Sequence, residues 1–258
     1  MNLSISNIAW AKEDDEKMYA FLQAEGYKGL EIAPTRLFPV KPYDCLREVK
    51  NFSKNLHAKY GLTICSMQSI WFGFDHNIFS NEADRDFLVA YTKKAIGFAS
   101  VIGCKNIVFG CPKNRIIPSD DYLPVAYAFF KKIGDIAEKN NTVIAVEANP
   151  PIYNTNFINT TQQAFDLCRE VNCKGLRVNI DLGTCIYNGE SFDLIKSNID
   201  LVNHIHISEP YLRPIEKRKI HTDLSKLDYH NYLSIEMAYV KNIETVKDAI
   251  KYIRDVIG

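Results

Sequence analysis

The sequence has no excess of charge of either sign. Lys plus Arg and Asp plus Glu number 31 each in 258 residues, so there is no overall field to draw in nucleic acid or an anionic membrane. It has no apolar run long enough to cross a bilayer. The opening stretch, Met1-Asn-Leu-Ser-Ile-Ser-Asn-Ile-Ala-Trp10, lacks a basic start followed by an apolar signal core. The expectation is a cytoplasmic protein, off the membrane, acting on a small neutral or singly charged ligand. No CxxC pair occurs among the seven cysteines, 45, 65, 104, 111, 168, 173 and 185, and the odd number argues against a disulfide framework or a structural zinc site. Cys65, Cys111 and Cys185 fall near strand-like ends, but no partner that would activate a thiol is identifiable. No low-complexity stretch or charge run marks a linker, and no GxGxxG follows a strand-like segment. With 47% hydrophobic residues the chain can bury a large core, and it reads as one domain over residues 1–258.

What is present is four short segments that each set an acid or an imidazole at the end of an apolar run: Val-Glu147-Ala-Asn-Pro, Ile-Asp181-Leu-Gly, His204-Ile-His206-Ile-Ser-Glu209 and Ile-Glu236-Met. A strand sends successive side chains to opposite faces, so parity separates two environments. Ala145 shares the face of Glu147, Asn179 that of Asp181, His204 that of His206 and Ser234 that of Glu236. That face is small or polar. The other holds Ile144, Val146, Val178, Ile180, Ile205, Ile207, Leu233 and Ile235, as a closed sheet with outer helices requires. Any one of the four could be a solvated strand-end group or a helix cap. Their succession at intervals of 34, 25 and 30 residues matches one strand, one helix and two loops of an eightfold barrel.

Eight strands are expected, at Leu3–Asn7, Gly29–Ile32, Thr63–Met67, Asn106–Phe109, Val143–Glu147, Arg177–Asp181, Val202–Ile207 and Leu233–Glu236. Helical periodicity lies between them, clearest from Tyr122 to Ala137, from Leu88 to Ile102 and, closing the chain, from Ile243 to Ile257. The alternation argues for an α/β fold, a single (β/α)8 TIM barrel. From Pro210 to Leu233 apolar residues are few, so the seventh helix is short or absent and a polar loop is expected over the mouth.

In this order of strands the chain resembles the xylose-isomerase-like TIM barrel family, which contains sugar isomerases, ketose 3-epimerases and apurinic-site endonucleases. The resemblance implies a metal held by Glu147, Asp181, His206 and Glu236, one from each of strands five to eight. Three carboxylates and an imidazole suit a hard divalent cation, Mn2+ ahead of Mg2+, Co2+ or Zn2+. It further implies that Glu147 and Glu236 exchange protons with a sugar carbon. If one acid served both steps, the result would be aldose–ketose isomerisation instead of epimerisation. Departures stand beside the match. The family's Asp-x-x-His becomes Asp181-Leu-Gly-Thr184, and a glutamate six positions after the strand-five ligand becomes Tyr153. Arg213 aligns loosely with an arginine after strand seven. Glu209 matches a His-x-x-acid pattern, as a group supporting the metal ligands or the loop, or as a surface acid. His221 falls where the endonucleases have an Asp-x-His pair, but its partner position is Lys219.

Other candidates come from the front half. Gly110-Cys-Pro-Lys-Asn-Arg115 offers two cations that could hold a phosphate or carboxylate, with a solvated loop as the alternative. Gln68, Trp71 and Phe72 suggest a sugar-facing wall, with loop packing as the alternative. Glu31 is expected to pair with a loop cation such as Arg36 or Arg115 rather than to bind metal, and His204 to be a hydrogen-bonded core residue. The leading expectation is a sugar or sugar-phosphate isomerase or epimerase with a small carbohydrate substrate, as a homo-oligomer if the aromatics of the long loop form a contact. A metal-dependent polyol dehydratase is the alternative. A phosphodiesterase ranks lower, because it needs histidines where the chain has Glu31, Met67, Phe109 and Thr184. A non-catalytic sugar-binding barrel predicts loss of a ligand, and all four are present.

Overall fold

The computed structural model describes all residues, Met1–Gly258. Eight parallel strands close in sequence order into a barrel: β1 (Asn2–Ser6), β2 (Gly29–Ile32), β3 (Thr63–Met67), β4 (Asn106–Phe109), β5 (Ile144–Glu147), β6 (Leu176–Asp181), β7 (Val202–Ile207) and β8 (Tyr232–Ile235). The sequence-derived strands coincide with these to within a residue or two at each end. Helices follow the strands, among them Glu82–Ile102, Leu123–Lys139 and Ile243–Ile257 where the periodicity placed them. The helix between β7 and β8 is only Lys219–Leu224, as the polar composition of that segment requires.

Parity sorts the barrel. Leu3, Ile5, Leu30, Ile32, Ile107, Phe109, Ile144 and Val146 belong to one continuous apolar core with the helices. The alternate positions face the barrel interior and are small or polar: Ser4, Ser6, Glu31, Ser66, Asn106, Asn179, His204, His206 and Ser234 are all buried. Register then sets the height of the functional groups, pairing Glu147 with Asn179, Asp181 with His206, and His206 with Ser234 across successive strands. Gly183 brings the β6 turn close to the β7 end, since a Cβ there would lie 2.9 Å from the Glu209 carbonyl.

Candidate metal centre and substrate cavity

Strand ends β5, β7 and β8 bring Glu147, His206 and Glu236 into mutual contact. Nδ1 of His206 lies 3.0 Å from Oε2 of Glu147 and 3.0 Å from Oε2 of Glu236, and the three donor atoms lie within 4.8 Å of one another. Glu147 is further held by Asn149 Nδ2 at 2.9 Å and Asn179 Nδ2 at 2.6 Å. Gln68 Nε2 donates to Glu236 at 2.8 Å. Asp181 borders the same cavity but stands apart from the other three: its oxygens accept from the Gly183 and Thr184 amides, the Thr184 hydroxyl and the Ser208 hydroxyl.

The electrostatics are unbalanced. Glu31, Glu147, Asp181 and Glu236 are all buried, and no Lys or Arg side chain forms an ion pair with any of them. Buried charge of this kind is stable when paired or when it coordinates a metal. Burial raises Glu236 to about 7, with Glu147 and Glu31 adding to the rise and His206 opposing it. Burial also raises Asp181, reinforced by the Glu147 charge. For Glu147 burial is outweighed by His206, and its carboxyl is lowered. His206 is raised well above the ordinary imidazole value: burial opposes the proton, but Glu236 and Glu31 win. An oxygen-rich donor set with one imidazole and a deficit of positive charge fits a hard divalent cation.

Above this corner lies a cavity of about 180 Å³. Its walls include Gln68, Ser69, Gly110, Cys111, Asn149, Tyr153 and Leu212, and no cationic side chain. A Cβ at Gly110 would sit 3.1 Å from Glu147 Oε1, so glycine there leaves the carboxylate accessible. Tyr153 accepts the Tyr211 backbone N–H at 2.9 Å, which leaves its own O–H proton free to donate. Burial and the Asp181 charge push that phenol up to about 12, so it stays protonated. The Pro210–Leu212 turn after β7 carries two non-glycine residues at positive φ, Tyr211 at 64° and Leu212 at 52°, a conformation that L-residues hold only when their surroundings enforce it. Leu212 is pinned by bonds to the Glu209 carbonyl and from the Ala238 amide.

Several residues expected at the substrate lie elsewhere. Trp71 is buried, donates its indole N–H to Thr92 Oγ1 at 2.9 Å and packs edge-on to Phe109 at 4.8 Å; it belongs to the core. Phe72 is 71% exposed and borders a separate groove with Phe74, Phe87 and Tyr91. Arg115 is buried and donates to the Glu147 carbonyl at 2.9 Å and to Asn149 Oδ1 at 2.6 Å, while Lys113 turns outward to Asp75; neither cation borders the cavity. Thr184 is buried, its hydroxyl shared between Asp181 and the Ala148 carbonyl, so it orients Asp181 and does not border the cavity. Glu209 is buried rather than a surface acid, and bonds Arg218 through both oxygens, which organises the mouth loop. His221 is buried against the Tyr252 hydroxyl at 3.1 Å, and Arg213 is exposed; neither borders the cavity. Glu31 pairs with neither Arg36, which holds Asp15, nor Arg115. It lies against His206, His204 and Gln68. Burial raises the thiols of Cys65, Cys111 and Cys185, Cys111 to about 12, which disfavours the thiolate form. Sequence reasoning missed Asn149, whose Asn-Pro context reads as a turn, and Asn179, whose inward parity was a usable signal.

The acids and the histidine converge at the carboxyl ends of the strands, the face at which TIM-barrel enzymes carry their active sites. The chain belongs to the xylose isomerase-like TIM barrel family, whose sequence signature matches residues 19–256. No curated protein sequence matches it. Among solved structures it is similar to a 3-keto-D-glucoside 4-epimerase from E. coli (18% identity, 99% of each chain, TM-score 0.78). It is also similar to a D-psicose 3-epimerase from Clostridium cellulolyticum H10 (15% identity, 99% and 97% of the chains, TM-score 0.78). A third similar structure is a probable 3-DHS dehydratase from Bacillus anthracis (16% identity, 99% and 98%, TM-score 0.71). At these identities the likeness establishes the fold. No helix is long and apolar enough to cross a membrane.

Proposed function

We propose that this chain is a divalent-metal-dependent isomerase or epimerase of a small sugar, with Glu147 and Glu236 as the proton-transfer groups. The observation that supports it most directly is the convergence of Glu147, His206 and Glu236 in a barrel mouth where four buried carboxylates lack a Lys or Arg partner. Glu147, His206 and Glu236 would hold the cation, with Asp181 completing the set once an oxygen is released from its hydrogen bonds. Mn2+ is the preferred ion. When bound, the metal supplies Lewis-acid stabilisation of the negative charge that develops on adjacent substrate oxygens.

The side chains define the rest. One carboxylate takes the proton from the carbon beside the substrate carbonyl; the C–H electron pair becomes the C=C of an enediol(ate), and the carbonyl π pair moves to oxygen. Return of a proton to that carbon from the other glutamate, three strands away around the barrel, inverts the centre. Return to the former carbonyl carbon gives aldose–ketose isomerisation. Gln68 orients Glu236, Asn149 and Asn179 orient Glu147, and Tyr153 offers its O–H to a substrate oxygen. The cationless wall favours a neutral sugar over a sugar phosphate.

Dehydration of a polyol is the second reading. It starts with the same proton removal but expels a hydroxide from the next carbon, and a dehydratase is among the structural neighbours. Deuterium uptake from heavy water into a panel of ketoses, aldoses and their phosphates, with and without Mn2+, tests both. Mn2+-dependent exchange at one carbon with the formula retained supports the isomerase; loss of water supports the lyase. Wild-type protein that binds no divalent metal after reconstitution defeats both.

A further inference from the structure

Glu31 is the one buried carboxylate of this region that the proposed reaction does not use. It sits at the end of β2, 0% exposed, and its Oε2 lies 2.9 Å from Nε2 of His206. The other nitrogen of the same ring, Nδ1, is the one that faces Glu147 and Glu236. Strands β2 and β7 are not neighbours. The contact crosses the barrel interior, which it can do because Ser4, Ser6, Ser66 and Ser234 fill the surrounding inward positions with small side chains.

We infer that Glu31 is a positioning residue that accepts from the Nε2–H of His206 and so turns Nδ1 toward the metal corner. An ionised carboxylate can only accept, so the nitrogen facing Glu31 carries a proton, and Nδ1 is the nitrogen that a cation would engage in place of a proton. Glu31 is itself held in place: Gln68 Nε2 reaches Oε1 at 3.1 Å and His204 Nε2 lies 3.3 Å from Oε2. The same Gln68 amide also bonds Glu236, so one network orients a ligand on β7 and another on β8. A carboxylate behind a ligating histidine fixes ring orientation and raises basicity, and its loss typically costs 10- to 100-fold in metal affinity. The inference rests on the metal reading above, and its test does not depend on turnover.

The test compares Mn2+ affinity, by chelator competition at pH 8, in the wild type and in the E31A, E31L and E31Q variants. 1H–15N NMR of the metal-free proteins reports whether the Nε2–H of His206 is held in a hydrogen bond. E31A should bind Mn2+ roughly 10- to 100-fold more weakly and lose that hydrogen-bonded Nε2–H. E31Q, whose amide oxygen still accepts, should recover most of both. E31L, closer in volume, carries the test if the E31A cavity unfolds the chain. Unchanged affinity with an unchanged Nε2–H signal would overturn the role. So would two Mn2+ per wild-type chain with one lost in E31L, since Glu31, His204 and His206 would then be ligands of a second ion. A wild type that takes up no Mn2+ defeats the metal reading alone; the Nε2–H signal of E31Q against E31L still decides Glu31.

Discussion

Replacing Glu236 by Gln should stabilise the metal-free protein while destroying the metal site. The carboxyl of Glu236 rises from 4.5 to about 7, chiefly through burial. A difference of about 2.5 pH units at about 1.36 kcal/mol each makes the ionised form about 3 kcal/mol less favourable in the folded chain than in the unfolded one. The folded state binds this proton more tightly, so the contribution of Glu236 to stability is present below about 4.5, falls as the pH rises, and is lost above about 7. Gln carries no charge, and its amide oxygen can still accept the 2.8 Å bond from Gln68. In EDTA at pH 8, E236Q should therefore exceed the wild type by up to about 3 kcal/mol. For a chain of this size that is a rise in Tm of roughly 6–12 °C. At pH 5, where the wild-type side chain is protonated, most of the advantage should vanish. Added Mn2+ should reverse the order, because only the wild type gains binding energy. Urea unfolding at the two pH values, with EDTA and then with Mn2+, measures all three. An E236Q variant no more stable than wild type at pH 8 without metal would refute the charge-deficit reasoning.

Because His206 and Glu236 both hold protons more tightly than usual, and a cation must displace those protons, the Tm gain from Mn2+ should be larger at pH 8 than at pH 6; a pH-independent gain would place the ion elsewhere. Tyr153→Phe should leave Mn2+ affinity unchanged and lower kcat/KM by roughly 2- to 10-fold, the worth of about 0.5–1.5 kcal/mol for one hydrogen bond. Unaltered kinetics on the sugar that exchanges deuterium would remove the phenol from the substrate. Trp71→Phe should destabilise the fold by about 1–2 kcal/mol through the lost bond to Thr92 and lost packing, with KM untouched. A raised KM at full stability would return Trp71 to the sugar wall.

The strands and the converging side chains were legible because two local rules decide them. A two-residue period separates inward from outward positions, and the last inward residue of each strand must face the mouth whatever the loops do. Glu147, Asp181, His206 and Glu236 each obey this, and the structure brings three of them into contact. Loop residues have no such rule. Composition says that Trp71 and Arg115 follow strand ends but not which way they turn; the indole goes down onto Phe109, and the guanidinium goes behind Glu147 to its backbone carbonyl. Glu31 is the instructive case, since it obeys the strand rule as well as Glu147 does and was still matched to the wrong partner. Pairing Glu31 with a cation of a nearby loop treats a buried acid as satisfied by its neighbours in sequence or in the sheet. Barrel closure adds a third kind of neighbour, the residue across the axis, and inward serines at 4, 6, 66 and 234 are the sign that the axis is narrow enough to bridge. An inward acid ringed by serines is therefore better matched to an inward histidine on a distant strand than to an arginine on an adjacent loop.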